Sequence, residues 1–207
     1  MAVPSNLKNM TLVLGTICLV CSALLGGAYA LTKEPIEKAA KAKTEASLSQ
    51  VLPAFDAVEE SEIEVEGSDY HYYRALSGGK VVGYAVESAT MGFGGPLSLM
   101  VGVTPDRVVY NTSVLSHSET PGLGAKCTTD RKFMEQWKGF DSTEKILFVK
   151  KDGGDVDAIT ASTITSRAYT RAVALALAVA NAVVSGEPAD AVTGASVPQT
   201  EGGQDHE

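Results

Sequence analysis

The sequence predicts an α+β protein: a single N-terminal transmembrane helix, then a domain in which helices pack on an antiparallel sheet. Three observations predict it. A block without any charged residue covers residues 10–31. From Tyr70 onward come short runs of β-branched and aromatic residues punctuated by glycine, and a long alanine-rich stretch then covers residues 166–184.

The 207-residue chain has a formal net charge of −8, with 44% hydrophobic and 20% charged residues. Its mean hydropathy is +0.05. A chain this acidic is a poor match to phosphate backbones, and no nucleic-acid partner is expected. Three cysteines are too few for a disulfide-stapled scaffold. The length allows one ordinary domain with appendages. A near-zero mean hydropathy beside this much acid means that apolar residues are segregated into blocks.

Only Lys8 among the charged residues falls in the first 32 positions. The 22 residues from 10 to 31 would span about 33 Å as a helix at ~1.5 Å per residue, against a hydrocarbon core of roughly 30 Å. Ala28-Tyr29-Ala30 offers the small residues of a signal-peptide cleavage site, but the apolar run is longer than a signal core and only one basic residue precedes it. A retained single-pass anchor is therefore expected. Lys33, Lys38, Lys41 and Lys43 follow the span, a count that by the positive-inside rule places the large domain in the cytoplasm. Cys18 and Cys21 form a C-x-x-C inside the span and read as small apolar residues of a membrane helix rather than as a redox pair.

Residues 34–50, rich in Ala, Lys and Glu with Pro35 at the start, read as a helical stalk. DYHYYRAL and VVGYAVES flank SGGK and predict a hairpin. PLSLMVGV and RVVYNTSVL flank the turn signal Thr104-Pro105-Asp106. KILFVK, from Lys145, reads as a further short strand, and Gly153-Gly154 breaks the chain. The late helix over residues 166–184 ends at Gly186 and Pro188. Its uncharged run starts only after Arg171 and carries Asn181, so it is expected to pack on the sheet rather than cross a membrane. The expected organisation is a short segment over 1–9, the span over 10–31, a stalk over 32–50, a folded domain over 51–187 and a disordered acidic tail over 188–207.

The informative chemistry precedes the late helix. Residues 157–166 read DAITASTITS, so hydroxyl side chains crowd a helix N-terminus, a natural place for a phosphate and equally for an ordinary N-cap. A second stretch, Asp190 to Ser196 (DAVTGAS), has a similar form but is followed by Val197-Pro198 and lacks a helix after it. SETPGLGAK, from Ser118, and GFGGPL, from Gly92, are glycine-rich loops that would let a backbone approach a flat ring. His71 and His117 have no second ligand at metal spacing, and no metal is expected. Tyr70, Tyr72, Tyr73 and Tyr84 read as strand packing, and no dinucleotide-binding or P-loop pattern is present.

GFGGPL, ETPGLGAK and DAITASTITSRA, which follow one another in that family's order, resemble segments of the G subunits of Rnf electron-transport complexes and the related C subunits of sodium-pumping NADH:quinone reductases. In that family the attachment motif runs Asp, two residues, Ser or Thr, Gly, Ala, then the Thr or Ser that bonds FMN. Asp157, Thr160 and Thr163 match it, while Ala161 and Ser162 stand where the family has Gly and Ala. The resemblance implies FMN joined through a phosphodiester to Thr163, with Thr160, Asp157, Ser162, Glu119, Thr120, Gly122, Leu123 and Gly124 forming the cofactor site. Ser196 is the competing attachment residue. The resemblance further implies an electron-relaying translocase subunit of a ferredoxin:NAD+ oxidoreductase that moves Na+ or H+. Its implied partners are membrane and iron-sulfur subunits of the complex, and a flavin transferase during maturation. It also implies a single pass through the inner membrane with the FMN domain on the periplasmic side, against the lysine count. A quinone-reductase C subunit and a noncatalytic membrane-tethered binding module are the alternatives.

Overall fold

Side chains of the apolar block have nothing to pack against within their own helix, and the structure shows what that leaves. The computed structural model describes residues 6–65 and 67–186; the tail and the second motif at Ser196 lie outside the described residues. The chain divides into two compact units, Met1–Ala46 and Ser47–Glu207. The first is helical, occupied by most of α1 (Leu7–Val51), whose most apolar 18-residue window has a mean hydropathy of 2.1 and is wholly exposed. Leu12, Leu14, Leu19, Leu24 and Leu25 all lie open. So large an apolar surface is removed from water by a bilayer. The hydroxyls of Thr11, Thr16 and Thr32 donate to the carbonyls of Leu7, Leu12 and Ala28, which satisfies them without water. Expected at the start of a stalk, Pro35 instead lies inside α1, which continues through it. Its missing N–H leaves the carbonyl of Leu31, at the very end of the apolar block, without its helical donor.

The second unit contains a six-stranded antiparallel sheet in sequence order, β1 (Ala57–Val65), β2 (Ser68–Ser77), β3 (Lys80–Met91), β4 (Pro96–Val103), β5 (Val108–His117) and β6 (Phe140–Asp141). Both expected hairpins form. Gly78 and Gly79, at φ +57° and +77°, turn β2 into β3, with Ser77 opposite Lys80. At the β4–β5 turn the Arg107 N–H donates to the Thr104 carbonyl at 2.9 Å.

Two strand assignments differ from expectation. The sequence does not predict β1, because Glu59, Glu60, Glu62 and Glu64 give it a poor strand composition. It is an edge strand, where outward-facing carboxylates meet water and Glu59 pairs with Arg74 across the ladder at 2.7 Å. KILFVK, in contrast, is not a strand: only Val149 forms a bridge, to Val156, and Ile146 and Phe148 are exposed. β6 ends after two residues, and the segment that follows it does not continue the ladder.

Strand alternation divides the sheet's side chains between two cores. On one face Val86, Leu97, Leu99, Val101 and Val103 meet α3 (Thr163–Ser185) through Ala168, Ala172, Ala176 and Ala180. α3 is thus a core helix, as its sequence predicts. Beside it, Trp137 and Tyr169 stack at 5.2 Å between ring centres, and Phe133 meets Tyr169 edge-on at 5.0 Å. The Tyr169 hydroxyl is satisfied by Thr112 Oγ1 at 2.8 Å. On the other face Leu48, Val51 and Leu52 cover Ala75, Ala85 and Met100.

The second packing depends on a missing side chain. A Cβ at Gly102 would overlap the carbonyl of Val51. Overfilling a packed contact costs about 1–3 kcal/mol. Gly102→Ala is therefore expected to destabilise the detergent-solubilised full chain by about 2 kcal/mol, read as a lower thermal midpoint, with α-helical content retained.

Candidate functional site

α3 starts at Thr163, three residues earlier than its sequence predicts, so part of the hydroxyl-rich segment is the helix's first turn. The Ser162 carbonyl accepts the first helical bond from the Ser166 N–H at 3.0 Å. Ser166 Oγ also donates to that carbonyl at 3.0 Å and accepts from the Ile159 N–H at 2.9 Å, which folds the preceding loop back onto the helix. Helix geometry leaves the N–H groups of Thr163, Ile164 and Thr165 without intrahelical acceptors. The Ser162 side chain does not cap them. Three donors and the positive end of a 23-residue helix thus open onto whatever lies beyond.

What lies beyond is the loop after β5. Glu119 is buried, and its Oε1 accepts from the Phe93 N–H at 2.8 Å. Its backbone N–H donates to His117 Nδ1 at 3.2 Å, a local packing role for that histidine. Two glycines make room for the carboxylate: a Cβ at Gly92 would overlap Oε1, and one at Gly124 would overlap Oε2 and come 2.6 Å from Thr165 Oγ1. Between loop and helix is a pocket of about 360 Å³.

The structure brings together Glu119, Thr120, Leu123, Gly124, Ser162 and Thr163 around that pocket. Asp157, Thr160 and Gly122 do not line it. Asp157 pairs with Lys150 at 2.8 Å, Thr160 is exposed, and Gly122, at φ +77°, shapes the turn in which the Leu123 N–H bonds to the Thr120 carbonyl. Phe93, Ala161, Ile164 and Thr165 complete the wall, and the sequence does not single them out as contacts. GFGGPL carries the signal for Phe93. The residues at 164 and 165 stay hidden as long as the helix is taken to start at Ser166. Lys151, whose Nζ lies 3.4 Å from Thr163 Oγ1, carries no sequence signal of its own.

Surroundings shift several titratable groups from their ordinary values, Cys127 and Asp152 among them. Cys127 is fully buried, and burial together with the charge of Glu119 pushes its thiol up to about 11. Asp152, held by Arg167 through two bonds of 2.6 Å, has its carboxyl below the usual range. Among the described residues no cluster of His, Cys, Asp or Glu could hold a metal ion.

Two family models match the chain. An FMN-binding domain covers residues 92–178, which encloses every residue lining the pocket, and an RnfG N-terminal region covers residues 1–51. The G subunit of the proton-translocating ferredoxin:NAD(+) oxidoreductase complex of Clostridium ljungdahlii is 32% identical, over 80% of this chain and 85% of that one. The G subunit of the ion-translocating oxidoreductase complex of Methanosarcina acetivorans is 34% identical, over 81% and 93%. The chain belongs to this family of G subunits. Among solved structures, Shewanella oneidensis NqrC matches with a TM-score of 0.42 and 28% identity, over 51% of this chain and 54% of that one.

In this G-subunit homologue Ala161 has φ +63°, a left-handed conformation that disfavours a Cβ. Glycine, which has no Cβ, would adopt it freely. Ala161→Gly is expected to stabilise the full chain by about 0.5–1 kcal/mol, strain relief outweighing the added chain entropy, in a denaturant titration. Cys127 gives a pH dependence. From pH 9 to 11 the unfolded thiol loses its proton while the folded one keeps it, so stability falls as pH rises. The Cys127→Ala chain should lose less stability over that window, by about 2 kcal/mol.

Proposed function

We propose that this chain is a membrane-anchored flavoprotein subunit that carries FMN bonded through its phosphate to Thr163 and relays electrons within an ion-translocating ferredoxin:NAD+ oxidoreductase. The observation that carries this reading is the position of Thr163. It is a half-buried hydroxyl at the first residue of α3, on a pocket wall that also includes three free backbone donors.

The residues present fit the cofactor. Space kept open by Gly92 and Gly124 lets the Glu119 carboxylate sit beside the pocket rather than in it. The helix end suits a phosphate, and Phe93, Leu123 and Ile164 are exposed apolar side chains that suit the faces of a ring. Bound FMN supplies the one- and two-electron chemistry. The α3 N–H groups would hold the phosphate, and Phe93, Leu123 and Ile164 would shield a bound ring from water. The Phe93 N–H holds the Glu119 side chain at the pocket wall, where a carboxylate would oppose further negative charge on a bound flavin.

Attachment would be made by a flavin transferase that uses FAD. Thr163 Oγ bonds to the phosphorus of the FMN half and its proton leaves to a base of the transferase, while the phosphoanhydride breaks and AMP departs. In this reading the domain stands on the periplasmic side of the inner membrane, where a covalent bond prevents cofactor loss. Membrane and iron-sulfur subunits of the complex are its partners, and Na+ or H+ its coupled ion.

The test is in-gel flavin fluorescence with peptide mass analysis after coexpression with the transferase. Wild type and Ser196→Ala should fluoresce and carry one FMN on the Thr163 peptide, and Thr163→Ala should carry none. Fluorescence retained by Thr163→Ala would overturn the assignment.

A further inference from the structure

Beside Thr163 stands a cation without an ion-pair partner. Lys151 Nζ donates to Thr163 Oγ1 at 3.4 Å and forms no ion pair among the described residues. Its neighbours are differently engaged: Lys150 pairs with Asp157 at 2.8 Å, and Arg167 places two nitrogens 2.6 Å from the Asp152 carboxylate. All three belong to or clamp the short 3-10 turn Lys150–Asp152. The turn is further tied by the Lys150 N–H, which donates to the Val156 carbonyl at 2.9 Å.

We infer that Lys151 is a positioning residue for the phosphate on Thr163, and that Asp157 and Arg167 act at a distance by holding the turn that presents it. The inference rests on the reading of Thr163 as the attachment site. A 3.4 Å contact between an ammonium and a neutral hydroxyl contributes little stability by itself. Once a phosphoryl group is bonded to that oxygen, the same ammonium meets an anion in a charge-assisted pair. In a chain of net charge −8, a lysine beside the α3 N-terminus supplies local attraction that the protein as a whole does not; the Asp152 carboxylate that also feels its charge is already engaged by Arg167. Lys151 neither gives nor takes a proton in the attachment; it lowers the energy of negative charge gathered at phosphorus as FAD is cleaved. Asp157 thereby acquires a role that its absence from the pocket wall leaves open. It holds Lys150, and with it the turn, rather than touching the cofactor.

The experiment uses the full chain in detergent, purified without flavin and treated with purified flavin transferase, Mg2+ and FAD. Initial rates of flavin incorporation are compared for wild type, Lys151→Met and Lys151→Arg. The 31P resonance of each loaded protein is then recorded. Lys151→Met should load ~10–100-fold more slowly than wild type, and Lys151→Arg within ~3-fold of it. The phosphodiester resonance should move in Lys151→Met and return toward its wild-type position in Lys151→Arg. Loading of Lys151→Met at the wild-type rate overturns the inference, as does equal slowing in both variants. Wild type that takes up no flavin on the Thr163 peptide overturns the attachment reading together with this one, so the two failures are distinguishable.

Discussion

Close approach of α3 to the sheet is the constraint on which the rest of the globular unit depends. Ala168, Ala172, Ala176 and Ala180 recur every four residues, so they form one ridge of the helix, and all four are buried. Methyl side chains let the helix backbone come near β3 and β4, near enough for Thr90 Oγ1 to donate to the Ala168 carbonyl at 2.8 Å. A larger residue on that ridge would push the helix away and break that bond. Seated along its length in this way, α3 sets the position of its own first turn. Thr163 and the N–H donors are fixed against the loops that leave β3 and β5, and the pocket is the gap between them.

The second wall obeys the same logic with carboxylate in place of methyl. Burying Glu119 away from bulk water demands compensation, and the Phe93 N–H provides it. The glycines at 92 and 124 are steric requirements of that burial: any side chain there would occupy the carboxylate's own volume. The loops that read as ring-approaching glycine segments therefore owe their glycines first to an acid, and the space beside it follows.

The sequence is informative where a residue's surroundings are local. The anchor, both hairpins and the packing role of α3 follow from charge-free length, turn residues and alanine content. Of the expected cofactor residues, those of the 119–124 loop other than Gly122 meet Ser162 and Thr163 on one pocket. What the sequence hides depends on neighbours distant in the chain. Glutamate-rich β1 is a strand because β2 offers it an edge, and apolar 145–150 is not one, its Val149 forming only an isolated bridge to Val156. The helix start is misplaced because Ser162, Thr163 and Thr165 look like loop residues until Ser166 is seen bonding back to Ile159 and Ser162. Asp157 carries a motif signal, yet its partner is Lys150, which no pattern marks.

β1 also bears on how copies of the chain behave beside one another. An open sheet ends in a row of unpaired amides and carbonyls, and a second sheet that met this row could extend it. Here the terminal strand presents Glu59, Glu60, Glu62 and Glu64 within six residues. Two such edges brought together would align like charges along their whole length. The poor strand composition of β1 thus disfavours fibre-like extension of the open sheet by a second copy at this edge.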